Sequence, residues 1–392
     1  MDTKSFSSRI SDLVKFLSSV QGDLSNVTAP PSFLAPSSVV EVGHCWSQRP
    51  GVFVAPALEQ DPEKRSLKVL RMILIAMRSQ FYVAGAPNVS IKKPLNAFLG
   101  ELFLASWNEG KASTKLVAEQ VSHHPPITAM HIASKEHGIR ADGYARVEMT
   151  FSSSVNIRQI GHAVVHIDKY NEDYLVPLPD VKVRGFLNAC LYPEVIGTYY
   201  IVSSTGYVSE IKFSGTGVFS GKKNFFQARM YHKNDKKATI YSLEGVWSEG
   251  WTVKDGRTGD IIEKYEVDAL ENLPAPMEIE PIASQDPWES RKAWAGVIEG
   301  LGKNDFRETV NAKSEVEQAQ RRMRAEEKKK GETWEPLFFK SIPGSEHDIF
   351  HQLAKPVNWQ LHDKHTKGVW KVDEDKRDTV QRPFRGELTP LG

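Results

Sequence analysis

Apolar residues return at three- and four-residue steps from Phe6 through Ile10, Leu13, Val14 and Leu17 to Val20, the period of one helical face. The other face is mostly Ser5, Ser7, Ser8, Ser11, Ser18 and Ser19, with few charges. Gly22 ends the pattern, and the Ala-Pro-Pro and Ala-Pro pieces of residues 29–36 predict an extended linker. A second helix is predicted from Pro62, a favoured first-turn residue, to Tyr82. Leu67, Leu70, Ile73, Leu74 and Met77 form its apolar stripe. Lys64, Arg65, Lys68 and Arg71 sit early and oppose the helix dipole, so packing must hold this element.

From about residue 96 to 268 the pattern shortens to strand period: runs rich in Val, Ile, Thr, Tyr and Phe between Gly, Asn, Asp and Ser punctuation. Between Phe226 and Tyr231 the even positions are apolar, and Asn234-Asp235-Lys236-Lys237 supplies a turn before the next run, Ala238 to Trp247. Gly215, Gly217 and Gly221 interrupt the strands before it, as bends or close approaches do. So many consecutive antiparallel strands must close or pack to avoid long open edges. A barrel of that size has an interior wider than side chains fill, a natural place for a ligand. Pro274, Pro276, Pro281 and Pro287 then mark a linker, a helix is predicted over Lys313–Lys330 up to Gly331, and the charged tail beyond 360 is expected to pack loosely.

At 392 residues, 40% apolar and 25% charged, the chain can bury a sizeable core. Its formal net charge of +1 gives no global field for nucleic acid or strongly acidic membranes, so any anion site must be a local cluster. Cys45 and Cys190 make neither a disulfide framework nor a metal spacing, which fits a reducing compartment. The most apolar run, Val69 to Met77, is interrupted by Arg71 and falls far short of the roughly 18 residues a membrane span needs. No cleavable signal pattern opens the chain. A cytoplasmic protein touching membranes only peripherally is expected.

The densest chemistry lies in Glu119-Gln120-Val121-Ser122-His123-His124-Pro125-Pro126. Adjacent histidines on an extended segment face opposite ways unless the prolines twist the chain. Two imidazoles on a rigid segment suit an anion such as phosphate. From chemistry alone, two structural histidines or a metal pair stand beside that reading.

This octapeptide resembles the signature of the oxysterol-binding-protein-related family, in the form of a short fungal-type member consisting of the lipid-binding domain. Lys92-Lys93-Pro94-Leu95-Asn96-Ala97-Phe98-Leu99-Gly100-Glu101 resembles the family's KPxNPxLGE segment, with Ala97 in place of the usual proline. Ser290-Arg291-Lys292-Ala293-Trp294 and Gly221-Lys222-Lys223-Asn224 are similar to family segments too, and the likeness extends to about residue 340. The resemblance implies an α+β, mainly β fold: a large near-complete antiparallel β-barrel around a lipid tunnel. Residues 1–28 would form an amphipathic lid helix, 29–95 a linker and helical region, 96–270 the barrel, and 271–392 a C-terminal helical subdomain with its charged tail.

The resemblance further implies phosphatidylinositol 4-phosphate as shared ligand, its headgroup held at the tunnel mouth by Lys93, Asn96, His123 and His124 with Lys313, Glu317 and Arg321 of the C-terminal helix. A phosphate monoester carries about −1.5 to −2 charges and several acceptor oxygens, which lysine, arginine and imidazole donors suit. By similarity to sterol-binding fungal members, Trp46, Gln80, Phe81 and Gln159 lie near a sterol. Phe81 stands where tyrosine is common and Ala145 where asparagine would add a polar contact; no phosphatidylserine-type N-terminal segment is present. Phe6, Ile10, Leu13 and Leu17 would face the tunnel from the lid. The implied function is monomeric transfer of phosphatidylinositol 4-phosphate and a second lipid, sterol, between membranes, with transient visits to Golgi, endoplasmic reticulum or plasma-membrane contact regions. Cofactor, metal and nucleic acid are not expected. A lipid-sensing adaptor is the rival reading. A hydrolase is disfavoured, because G-x-S-x-G and H-E-x-x-H do not occur.

Overall fold

The computed structural model describes residues 6–20, 22–25, 27–215 and 221–392. Its strands pair almost entirely in sequence order, as hairpins do, into one 15-stranded sheet running from Ile261–Glu266 at one end to Met277–Glu278 at the other. The sheet curls into a near-complete antiparallel barrel. Its two longest strands, Ile139–Phe151 and Val155–Ile167, pair along their full length. The second of these then forks: Ala163–Ile167 pairs with Glu172–Val176, whereas Val155–Ile157 pairs with Val181–Arg184. The fork parts the wall beside that strand's first half.

The helix Pro62–Phe81 fills much of the interior. Asp61 caps it, accepting from the Glu63 N–H at 2.9 Å, and Pro62 occupies the first turn. The predicted stripe is buried, and so are Val69, Met72, Ile75 and Ala76. Most of this helix is covered, and of its early cations only Lys64 is exposed. The others meet acids: Arg65 reaches Glu172 at 2.6 Å, Lys68 reaches Glu59 at 2.9 Å, and Arg71 reaches Glu263 at 2.5 Å.

Two expectations change. Residues 29–36 are more than a linker, because strand Leu34–Ser38 pairs in parallel with Lys93–Leu95 and so anchors the KPxN segment. The tail is packed, not loose. Phe339–Ile342 and Val369–Val372 form a hairpin-like pair, Trp288 Nε1 donates to the Leu388 carbonyl at 2.8 Å, and Gln320 Nε2 donates to that of Pro390 at 2.7 Å. Charged composition hid these few anchors. Nor does the C-terminal region have a core of its own: Trp288, Trp294, Phe338 and Trp370 share one cluster with the barrel residues Leu102, Val121 and Ile127. The C-terminal helix, Phe306–Lys330, begins earlier than predicted, at the Asp305 cap, and ends at Gly331, whose φ of 69° is the left-handed conformation that closes helices.

Candidate functional site

A cavity of about 250 Å³ opens beside the fork. Val155, Ile157, Val181 and Val183 form one wall; Phe33, Val39 and Phe81 form another. The N-terminal helix, Phe6–Ser19, lies across it, presenting Leu13, Phe16 and Leu17. Ile10 and Leu13 are buried; the Phe6 side chain lies outside the described residues. Past the helix, the Leu24 N–H donates to the Met149 carbonyl at 2.7 Å, which ties the connecting segment to the barrel rim.

Polar groups are few on this wall. Gln80 and Gln159 are among them, beside Phe81 and Ala145. The Gln159 amide donates to the Pro179 carbonyl at 2.5 Å. Trp46 packs in the main core and is not on the wall. The polar wall residues that sequence reasoning did not assign to the site include Gln120 and Thr128. Gln120 belongs to the octapeptide, but a register shift between Gln120 and Ser122 breaks the strand alternation that would have placed it; Thr128 Oγ1 donates to its Oε1 at 2.6 Å.

The wall passes into a polar mouth at Lys93 and Asn96, which both line the cavity. The octapeptide ends strand Ala112–Ser122 and turns through His123-His124-Pro125-Pro126 into strand Ile127–Ser134. The turn overrides strand alternation, so the two imidazoles lie together, centroids 4.5 Å apart. His123 Nδ1 pairs with the Ala97 carbonyl at 3.0 Å, joining the octapeptide to the KPxN segment. Burial holds His123 below the ordinary imidazole range, helped by His124 and by the Arg324 charge, while Glu317 acts the other way.

From the opposite side the C-terminal helix delivers Lys313, buried, ion-paired with Glu317 and donating to Thr28 Oγ1 at 3.2 Å. Lys93 Nζ donates to the carbonyls of Val27 at 2.8 Å and Ser25 at 3.3 Å. Burial, reinforced by Lys313, lowers its pKa to about 8. Thus both lysines are held by the connector that follows the N-terminal helix.

Arg321 is exposed on the C-terminal helix. The guanidinium brought toward His123 is that of Arg324, 4.4 Å over the Trp334 ring. Its Nε and Nη1 are buried with no hydrogen-bond partner among the described residues, and its Nη2 lies 2.9 Å from Glu327. At about 100° per residue, a position eleven past Lys313 returns within roughly 20° of its azimuth, whereas eight past is roughly 80° away. That arithmetic is the signal in the sequence that points to Arg324. The arrangement gathers two lysines, an arginine and two imidazoles around one carboxylate at the end of an apolar cavity. It can grip a multivalent anion whose remainder is apolar.

The family model described as Oxysterol-binding protein matches residues 12–297. The protein kes1 of Schizosaccharomyces pombe is 34% identical over 83% of this chain and 85% of its own length. The chain belongs to the oxysterol-binding protein family. It is also 47% identical, over 95% of its length, to the "Probable transporter efuK" of Hormonema carpetanum, and spans 54% of that longer relative. Among solved structures, it is similar to the Osh1 ORD domain in complex with ergosterol (TM-score 0.67, 21% identity, 84% of this chain and 82% of that one). The Osh3 ORD in complex with PI(4)P from Saccharomyces cerevisiae is also similar (TM-score 0.65, 18% identity, 88% and 94%). These likenesses support the fold. Among the described residues no helix is long and apolar enough to cross a membrane.

Proposed function

We propose that the chain is a non-catalytic lipid carrier that takes phosphatidylinositol 4-phosphate and a sterol in turn, exchanging them between membranes from the cytoplasmic side. The observation that carries this reading is the continuity of the apolar cavity with a cationic mouth, Lys93 and Asn96 belonging to both. A lipid leaving a bilayer exposes its apolar body at roughly 25 cal/mol per Å² unless protein covers it. The cavity and the overlying N-terminal helix cover it. The headgroup is gripped by His123, His124, Lys93, Asn96, Lys313 and Glu317, with Arg324 supplying the guanidinium in place of the exposed Arg321. Gln80 and Gln159 offer the polar ends a sterol hydroxyl needs, directly or through water, and Trp46 backs that wall from the core. Relatives solved with ergosterol and with PI(4)P make these two ligands the first to try.

The test is extraction from liposomes by a His123→Ala/His124→Ala variant. Phosphatidylinositol 4-phosphate extraction is expected to be abolished while sterol capture and thermal unfolding stay near wild type. Unchanged phosphoinositide extraction defeats the site assignment. Binding of both lipids without transfer between two liposome populations would mark a sensor instead of a carrier.

A further inference from the structure

Close to the cavity wall, two tight loops hold apolar side chains out in water. In the loop 185–190, Cys190 and Asn188 both donate N–H bonds to the Gly185 carbonyl, at 3.2 Å each. Gly185 has φ +95°, and a Cβ there would stand 1.9 Å from the Cys190 carbonyl oxygen, so the loop is built on glycine. At its tip Leu187 is 101% exposed. Its neighbour Phe186 turns the other way, into the cavity wall. In the loop 84–91, Ala86 and Val89 exchange backbone hydrogen bonds, and Val89 is 55% exposed. Backbone pairing fixes the two loops to each other, the Ile91 N–H donating to the Leu191 carbonyl at 3.0 Å.

Cations flank both tips. Lys223 Nζ donates to the Pro87 carbonyl at 3.4 Å and lies 4.1 Å over the Tyr192 ring. Lys222, beside it, is exposed, and so is Lys92 at the cavity mouth. Neither loop contains an acidic residue. A leucine fixed wholly outward gains nothing from water, and exposed lysines stand on the same rim. Apolar tips that enter the acyl boundary while lysines meet anionic headgroups are the pattern of interfacial membrane binding.

We propose that this rim, with Leu187 and Val89 as inserting tips and Lys92, Lys222 and Lys223 as headgroup contacts, is the surface by which the protein docks on an anionic bilayer. It rests on the carrier reading for its purpose, since docking there sets the cavity mouth against the lipid. Yet its inserting tips, Leu187 and Val89, and the lysines Lys222 and Lys223 lie outside the cavity lining.

The experiment is co-sedimentation of the full chain with phosphatidylcholine–phosphatidylserine vesicles and with phosphatidylcholine-only vesicles. Leu187→Asp/Val89→Asp is expected to weaken binding to both by about tenfold or more, since burial of two side chains is lost and each 1.4 kcal/mol is tenfold. Lys222→Glu is expected to weaken binding only to the anionic vesicles and to flatten its salt dependence. Sterol delivered from cyclodextrin should load all three proteins equally; failure of that loading in wild type would strike the carrier reading and leave the docking surface standing. As a second measurement, an environment-sensitive dye on Leu187→Cys in a Cys190→Ser background should brighten on adding anionic vesicles. Wild-type sedimentation by the aspartate variant, or a dye that stays dim, overturns the proposal and leaves the tips as a contact for another protein.

Discussion

Among the described residues Lys93 hydrogen-bonds to no carboxylate; two carbonyls of the connector hold it, at 2.8 and 3.3 Å. Burial and the neighbouring Lys313 bring its pKa from 10.5 down to about 8. The sign follows from linkage. Below pH 8 the lysine is charged in folded and unfolded chains alike, and the folded state carries the whole desolvation cost. Between pH 8 and 10.5 the folded chain sheds the proton first, so this contribution to stability improves as pH rises. Lys93→Met should therefore raise stability at neutral pH by about 1 kcal/mol, after the unpaired Val27 carbonyl is counted. It should also lose phosphatidylinositol 4-phosphate capture. A stabilised, phosphoinositide-blind variant in denaturant and liposome assays separates a group kept for binding from one kept for folding. Because a phosphate favours the charged amine, binding just above pH 8 should take up a proton and weaken as pH climbs. Titration calorimetry in two buffers of different ionisation heat reads that uptake, and a lack of buffer dependence would exclude Lys93 from the headgroup contact.

At the scale of elements, Glu101 explains why distant motifs travel together. It is fully buried, with Ser290 Oγ donating to Oε1 at 2.7 Å, and Trp294 Nε1 and the Phe98 N–H donating to Oε2 at 2.9 and 3.1 Å. The KPxN segment is thereby stapled to the Ser-Arg-Lys-Ala-Trp helix start. Glu101→Gln would set an amide N–H₂ against donors, costing about 1–3 kcal/mol; the midpoint of urea unfolding measures it. Burial also raises the Glu101 pKa to about 7. The folded chain then holds a proton the unfolded one loses above pH 4.5, so this contribution falls as pH rises from 4.5 to 7, and the glutamine variant should lack that slope. Much of the elements themselves was legible: strand alternation over Phe226–Tyr231 lies in strand Phe225–His232, the helix from Pro62 sits where its period puts it, and the C-terminal helix ends where Gly331 predicts although it starts seven residues earlier. The staple was not, because Glu101 and Ser290 are 189 residues apart and neither periodicity nor turn chemistry reports a partner at that distance. The fork in strand Val155–Ile167 escaped for a related reason: alternation tells which face a residue takes, not which of two strands it pairs with. The tail failed because its charges dominate the composition while a few side chains such as Trp370 fix it.

On the scale of the whole molecule the cavity exists because the barrel is too wide for its own side chains, and what remains must be closed by something removable. The N-terminal helix is suited to that. Its apolar stripe reads clearly in the sequence, but only the folded chain shows that Leu13, Phe16 and Leu17 cover a hollow and not a filled core. Its serine-rich outer face offers water little charge, so little electrostatic energy is lost when it moves. Its connector is held by Lys93 and Lys313, the groups we propose receive the phosphate, so on that reading headgroup arrival and connector release compete for the same donors. Leu13→Asp/Leu17→Asp removes two apolar covers and sets two carboxylates against the cavity, which at about 2 kcal/mol for each lost burial should open the helix. A fluorescent sterol loaded into this variant should escape to acceptor vesicles at least tenfold faster than from wild type. Unfolding of the barrel should barely shift, since the strands and the central helix keep their contacts. Release as slow as wild type would mean that the sheet alone retains the lipid, and the helix would then be an ordinary packed terminus.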